Sequence, residues 1–349
     1  MCSFFNVFSV FPDTPSEFNG SASMILKATG ALLSFLLLLP AYLLLRRHPG
    51  QGLLECAYSL TGGFGRVIAV IYYVFFMSMG VNTITGVEFF LTSTVYNFDS
   101  KPLILLLFSL LLLYASFCGI EPLGRLAVVI SVLFLTAAAL LVIFLSPQFD
   151  LNHFYSPLYD GVEPYIKKLP VIVSQNNIFI PMLLLVPFLN KRRCAACFAA
   201  ANGVHLAVAE ALMFASSAVL GDYTPNNLFS MYTLVTMVNT SRLHRVDSIH
   251  IGIWVLLSFI RTAVIILCAC LCLKSALPPV LHRFAAPFTV LLFFAGGYIF
   301  SHTYSLLVAI FKFSYSGLPT LLTGLLLPST LLTISLIKEK NHGKSKTSG

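Results

Sequence analysis

The sequence predicts an all-α polytopic membrane protein, and three observations carry that reading. Hydrophobic residues make up 58% of the 349 positions and charged residues only 10%, against roughly 25% charged in an ordinary soluble domain. Mean hydropathy is +0.89. Apolar runs of about 20 residues, the length that crosses a bilayer as a helix, recur along the whole chain. No soluble domain remains once they are subtracted.

Nine runs qualify as full spans: about 26–45, 66–92, 102–118, 125–146, 168–190, 195–219, 249–273, 284–301 and 317–337. They form one transmembrane domain over 1–337, followed by a polar, basic tail over 338–349. Ahead of them, MCSFFNVFSVFPDTP is too short to cross and ends in a Pro-Asp-Thr-Pro turn. It reads as the last third of a span, which makes ten in all with the first truncated. Met1 to Pro12 has neither the basic region nor the cleavage site of a signal peptide.

Alternating the spans from a cytoplasmic Arg46-Arg47-His48 loop puts thirteen basic residues inside and seven outside, with Arg261 within a span. That asymmetry obeys the positive-inside rule and places the C-terminus in the cytoplasm. It also accounts for the net charge of +8, so nucleic-acid binding is not needed to explain it. The eight cysteines make no disulfide framework. Cys194-x-x-Cys197 lacks a second ligand pair at zinc spacing, and Cys268, Cys270 and Cys272 read as packing residues in an apolar run.

The sixth span, KKLPVIVSQNNIFIPMLLLVPFLN, is interrupted. Ser174, Gln175, Asn176 and Asn177 sit inside it, and Pro181 and Pro187 each lack a backbone donor. Unsatisfied backbone is tolerated at membrane depth only inside protein or along a wet cavity. A span broken near its middle is a pointer to a transporter-type binding site; a kinked structural helix is the blander alternative. The freed N–H groups at a half-helix start favour a carboxylate, which makes an amino acid a plausible ligand.

On the eighth span, Asp247, His250, Trp254, Ser258 and Arg261 recur every three or four residues and so form one polar stripe. Arg261 falls near mid-membrane, where a charge costs at least about 2.5–3.5 kcal/mol. The stripe must therefore face the bundle interior. Arg261 then either anchors a carboxylate or stands in for a coupling ion, or else bonds exposed carbonyls of a broken helix. Glu210 on the seventh span is the deepest acid and the candidate counter-ion. His205 is five residues away and points to another face; Glu88, Tyr72, Tyr73 and Asn82 on the third span are interior candidates. No Walker loop, His-Glu-x-x-His or phosphate-binding glycine motif is present, and no nucleophile and base share a depth. The reading is not enzymatic, and it calls for no cofactor or metal.

Four stretches together are similar to the GerAB-like spore germination permeases, the B subunits of germinant receptors within the amino acid–polyamine–organocation superfamily. They are RRHPGQGLLECA (Arg46–Ala57), GIEPLGRLA (Gly119–Ala127), PFLNKRR (Pro187–Arg193) and RVDSIHIGIWVLLSFIR (Arg245–Arg261). The resemblance implies ten spans in the leucine-transporter fold, two inverted five-helix repeats with broken first and sixth helices. It implies a germinant site involving Ser174, Gln175, Asn176, Asn177, Trp254, Ser258 and Arg261, and partners of the A and C type in a spore inner membrane. Arg261 departs from the family, which more often has Lys there. Two functions follow: a receptor subunit binding a small germinant, or a secondary amino acid transporter. Both need the same site. Neighbouring genes for a large soluble-domain partner and a lipoprotein would favour the receptor.

Overall fold

The structure, a computed structural model, describes residues 20–94, 101–154, 156, 161–175, 179–188, 194–224, 229–238 and 246–347. The apolar segment before Pro15 lies outside them. Among the described residues every regular element is helical. The chain runs α1 (Gly20–Arg47), α2 (Leu53–Thr61), α3 (Gly65–Thr94), α4 (Lys101–Cys118), α5 (Ile120–Leu145), α6 (Glu163–Gln175), α7 (Ile180–Leu185), α8 (Cys194–Leu220), α9 (Ser230–Met237), α10 (Val246–Ala276), α11 (Ala285–His302), α12 (Tyr304–Tyr315), α13 (Leu318–Leu321) and α14 (Leu327–Thr347).

Seven stretches of helix are long and apolar enough to cross a membrane. With the shorter α4 and the α6–α7 pair, they account for the nine spans read from the sequence. The protein is an all-α, multi-pass membrane protein. Helix α14 runs on through Thr347, so the backbone of the basic tail continues the last span.

Three short helices went unseen in the sequence. Helix α2 is bounded by local chemistry: the Glu55 carboxylate accepts the Gly52 N–H at 2.9 Å, and Gly62 ends the helix at φ +59°. Helices α9 and α12 lie in the connections before α10 and before α13, where loop composition masked them.

The long helices α3 and α10 form the central pair, with α4, α5 and α11 against α10 and α1 against α8. Among the described residues the apolar surfaces make two large cores and a small one. The first joins α3, α4, α5, α8, α9, α10 and α11, the second joins α1, α2, α3, α7, α10 and α14, and the small one joins α1 and α6. Cys56, Cys268, Cys270 and Cys272 are buried as packing residues, whereas Cys118 and Cys197 are exposed.

The last span is not a plain helix. Between α13 and α14 the backbone widens into a π-helical turn, Leu322–Leu326. Such turns leave a carbonyl out of register and concentrate at functional sites. Here the fully buried Tyr72 hydroxyl of α3 donates to the Thr323 carbonyl. Tyr72→Phe strands that buried oxygen, and we expect a loss of about 1–3 kcal/mol in detergent unfolding. An unchanged midpoint would show that the turn satisfies itself.

Gly317, which precedes α13, has φ +81°, and a Cβ there would come 2.7 Å from the Pro170 carbonyl oxygen of α6. Both the conformation and the space require glycine. Gly317→Ala is expected to cost about 1–3 kcal/mol, read by thermal unfolding, because the clash is with backbone that cannot swing aside.

Candidate functional site

Helix α6 is described up to Gln175 and α7 from Ile180, after the turn at Phe179, with Asn176 to Ile178 outside the described residues. Ser174 and Gln175 have helical backbone. Their side chains, and Asn176 and Asn177 entirely, lie outside the described residues. The two halves of the span pack on different neighbours. Helix α6 meets α1, α12 and α13, while α7 meets α10 and α2. Pro181 sits in the first turn of α7, where its missing N–H would have had no helical partner.

The polar stripe of α10 faces inward. Asp247 and His250 are half-buried at its start, and Trp254, Ser258 and Arg261 are buried. Arg261 is only 6% exposed, which places a permanent cation inside the bundle. The hydroxyls around it turn back onto their own helices. Ser258 donates to the Trp254 carbonyl at 2.7 Å, Thr262 to that of Ser258 at 2.8 Å, and Thr83 to that of Met79 at 2.9 Å. Each hydroxyl oxygen keeps acceptor capacity, but its proton is committed.

Two contacts set the register of α10 against α3. Phe90 packs on Trp254 with ring centroids 4.5 Å apart, and Gly80 lies beside Ile265. Interpolating between them puts Arg261 level with Thr83. The buried Glu88 is then five residues, about 7 Å, further along α3.

Glu210 belongs elsewhere. Gly20 against Ser217 and Phe35 against Phe198 show α1 and α8 running antiparallel, which puts Lys27 level with Glu210. The Lys27 charge acts on both His205 and Glu210. This corrects two expectations. The cation beside Glu210 is Lys27 rather than Arg261, and Lys27, counted among the outer basic residues, is buried at 6% exposure. Because α1 begins earlier than its apolar run, Lys27 was drawn into the α1–α8 interface. His205 and Glu210 on α8 are both within reach of the lysine's charge.

The sixth span approaches Arg261 through α7. The Cys268 thiol of α10 donates to the Pro181 carbonyl at 3.8 Å. Spans six and eight run in the same direction, since the single helix α8 returns the chain between them. Counting back seven residues from Cys268, about 10 Å at helical rise, reaches Arg261 on the same helix.

Between α1, α6, the start of α7 and the π turn is a small cavity with room for about one water molecule. Ser34 of α1, Val173 of α6, Phe179, Ile180, Thr320 and Gly324 line it. The Thr320 hydroxyl is buried there without a hydrogen-bond partner. Above Arg261, toward the α9 end, Phe90, Phe229, Tyr232 and Trp254 form a closed aromatic cluster. Ser34, Thr320 and Gly324 were missed in the sequence. The signal available was GLPTLLTGLLLP (Gly317–Pro328), a second span interrupted by Gly and Pro.

Among the described residues the arrangement is a membrane-type helical bundle that encloses a buried cation, Arg261. A family model described as spore germination protein, the spore permease family, matches residues 23–305. The chain belongs to that family. Comparison with curated proteins finds no match.

Proposed function

We propose that this chain is the membrane-embedded subunit of a spore germinant receptor, and that it binds a small germinant, an amino acid, beside the interrupted sixth span. The observation that carries the reading is a cation, Arg261, buried within the bundle on the helix whose Cys268 meets Pro181 at the start of α7. Its guanidinium would act together with the N–H groups that open the second half-helix, and both favour a carboxylate. Ser174, Gln175, Asn176 and Asn177 would contribute amide and hydroxyl contacts, with Ser258 an acceptor and Trp254 a wall. Family membership supports a germination role. It also supports the leucine-transporter-like inverted repeat, association with A- and C-type subunits in the spore inner membrane, and a cytoplasmic C-terminus. The reading is non-enzymatic.

Trp254 is the sole tryptophan, so its emission reports on this site. Titrating the purified chain with each of the twenty proteinogenic L-amino acids should shift that emission saturably for at least one of them. No saturable change with any of them would overturn the assignment. The same pocket would serve a secondary transporter, which the fold alone favours. Uptake of the responsive amino acid into proteoliposomes would decide for a carrier; binding without uptake supports the receptor.

A further inference from the structure

Helix α2 lies across one end of the bundle, the end that carries Arg47, His48 and Lys338. It packs on α3, on α14 and against the end of the sixth span. The approach to the sixth span is close: a Cβ on Gly52 would come 2.7 Å from Cγ of Pro187. Cys56 and Ala57 are fully buried on its inner face. The Tyr58 hydroxyl donates to the Ser275 carbonyl at the far end of α10. The helix thus covers the end of the sixth span while touching both central helices.

Helix α14 reaches across to hold it. Lys338 Nζ donates to the Leu60 carbonyl at 2.8 Å. That oxygen is one of the last carbonyls of α2, which have no partner within the helix and favour a cation. One turn earlier, the buried Ser335 hydroxyl meets Nε2 of His48 at 2.9 Å, and Glu339 Oε2 pairs with Arg47 Nη1 at 2.6 Å. The last pair is solvent-exposed and contributes little. The hold therefore rests on two hydrogen bonds from consecutive turns of α14, to α2 and to the end of α1. Such a hold is strong enough to bias a position and weak enough to release.

We propose that α2 is a plug at this end of the bundle and that α14 is the strap that keeps it closed. The inference does not depend on what the protein binds, and native cysteines test it. Cys56 lies on the inner face of the plug, Cys268 is buried two turns further into the bundle than the Ser275 contact, and Cys118 and Cys197 are exposed. In the full-length chain in detergent micelles, N-ethylmaleimide alkylation can be followed site by site by mass spectrometry.

The double variant Ser335→Ala/Lys338→Met should raise the Cys56 rate at least about tenfold through local opening. Cys268 should stay at its wild-type rate. Lys338→Arg, which keeps a cation and donors at that position, should hold Cys56 near its original rate. Should the double variant not fold, Lys338→Met alone, at an exposed position, provides the same readout. An unchanged Cys56 rate overturns the strap. So does a parallel rise at Cys56 and Cys268, which would make α14 a general scaffold rather than a local latch.

Discussion

Replacing Arg261 with Met is expected to leave a folded, membrane-inserted protein that no longer responds to its amino acid. Methionine keeps an unbranched stem and a high helix propensity, and it removes a charge that costs at least about 2.5–3.5 kcal/mol to place in the membrane. What is lost is the cation buried within the bundle. Hydrogen bonds to a charged group contribute about 1.5–3 kcal/mol, so affinity should fall roughly 10- to 150-fold. The measurement is the Trp254 emission titration with the amino acid to which the wild type responds. Arg261→Lys should keep much of the response, because an ammonium still offers charge and donors, though without the planar fork. A Met variant that fails to fold would assign Arg261 a structural role, as donor to carbonyls at the interruption. Equal responses in wild type and a well-expressed Met variant would remove both roles.

Trp254→Ala should produce the largest loss of stability. The side chain is 2% exposed and packs on Phe90 in the core shared by α3, α9 and α10. Truncating a buried Trp to Ala typically costs about 3–5 kcal/mol, since the void left behind collapses only in part. Trp254→Phe retains a ring against Phe90 and should cost distinctly less. Thermal unfolding in detergent, followed by far-UV circular dichroism because the sole tryptophan is gone, measures both. An alanine variant as stable as the wild type would mean that this aromatic cluster does not hold α9 over the central pair. Trp254 would then be free for the ligand alone.

The class of fold was legible because bilayer thickness constrains a sequence locally. Each spanning run must supply its own apolar length, so nine runs could be counted without knowing which touch. The inward stripe of α10 was legible for the same reason. A charge as costly as Arg261 cannot face lipid, and helical periodicity then orients Trp254 and Ser258 with it. The amides and prolines inside the apolar run of the sixth span mark it as a candidate interruption, and Asn176 and Asn177 lie outside the described residues.

Which residues meet was decided only in three dimensions. Glu210 was matched to Arg261 on depth alone, and depth does not say which helix is the neighbour. The antiparallel packing of α1 on α8 set Glu210 level with Lys27, and the register of α3 on α10 set Thr83 level with Arg261. The π turn was invisible in LLTGLLL, because an apolar run looks alike whether it is wound with four or five residues between partners. Helix α2 and its hold by α14 depend on contacts such as Lys338 with Leu60, 278 residues apart in sequence. Local pattern and solvent fixed the spans, their number and their inward faces. Pairing, register and closure follow from packing between segments distant in the chain, which no single stretch of sequence encodes.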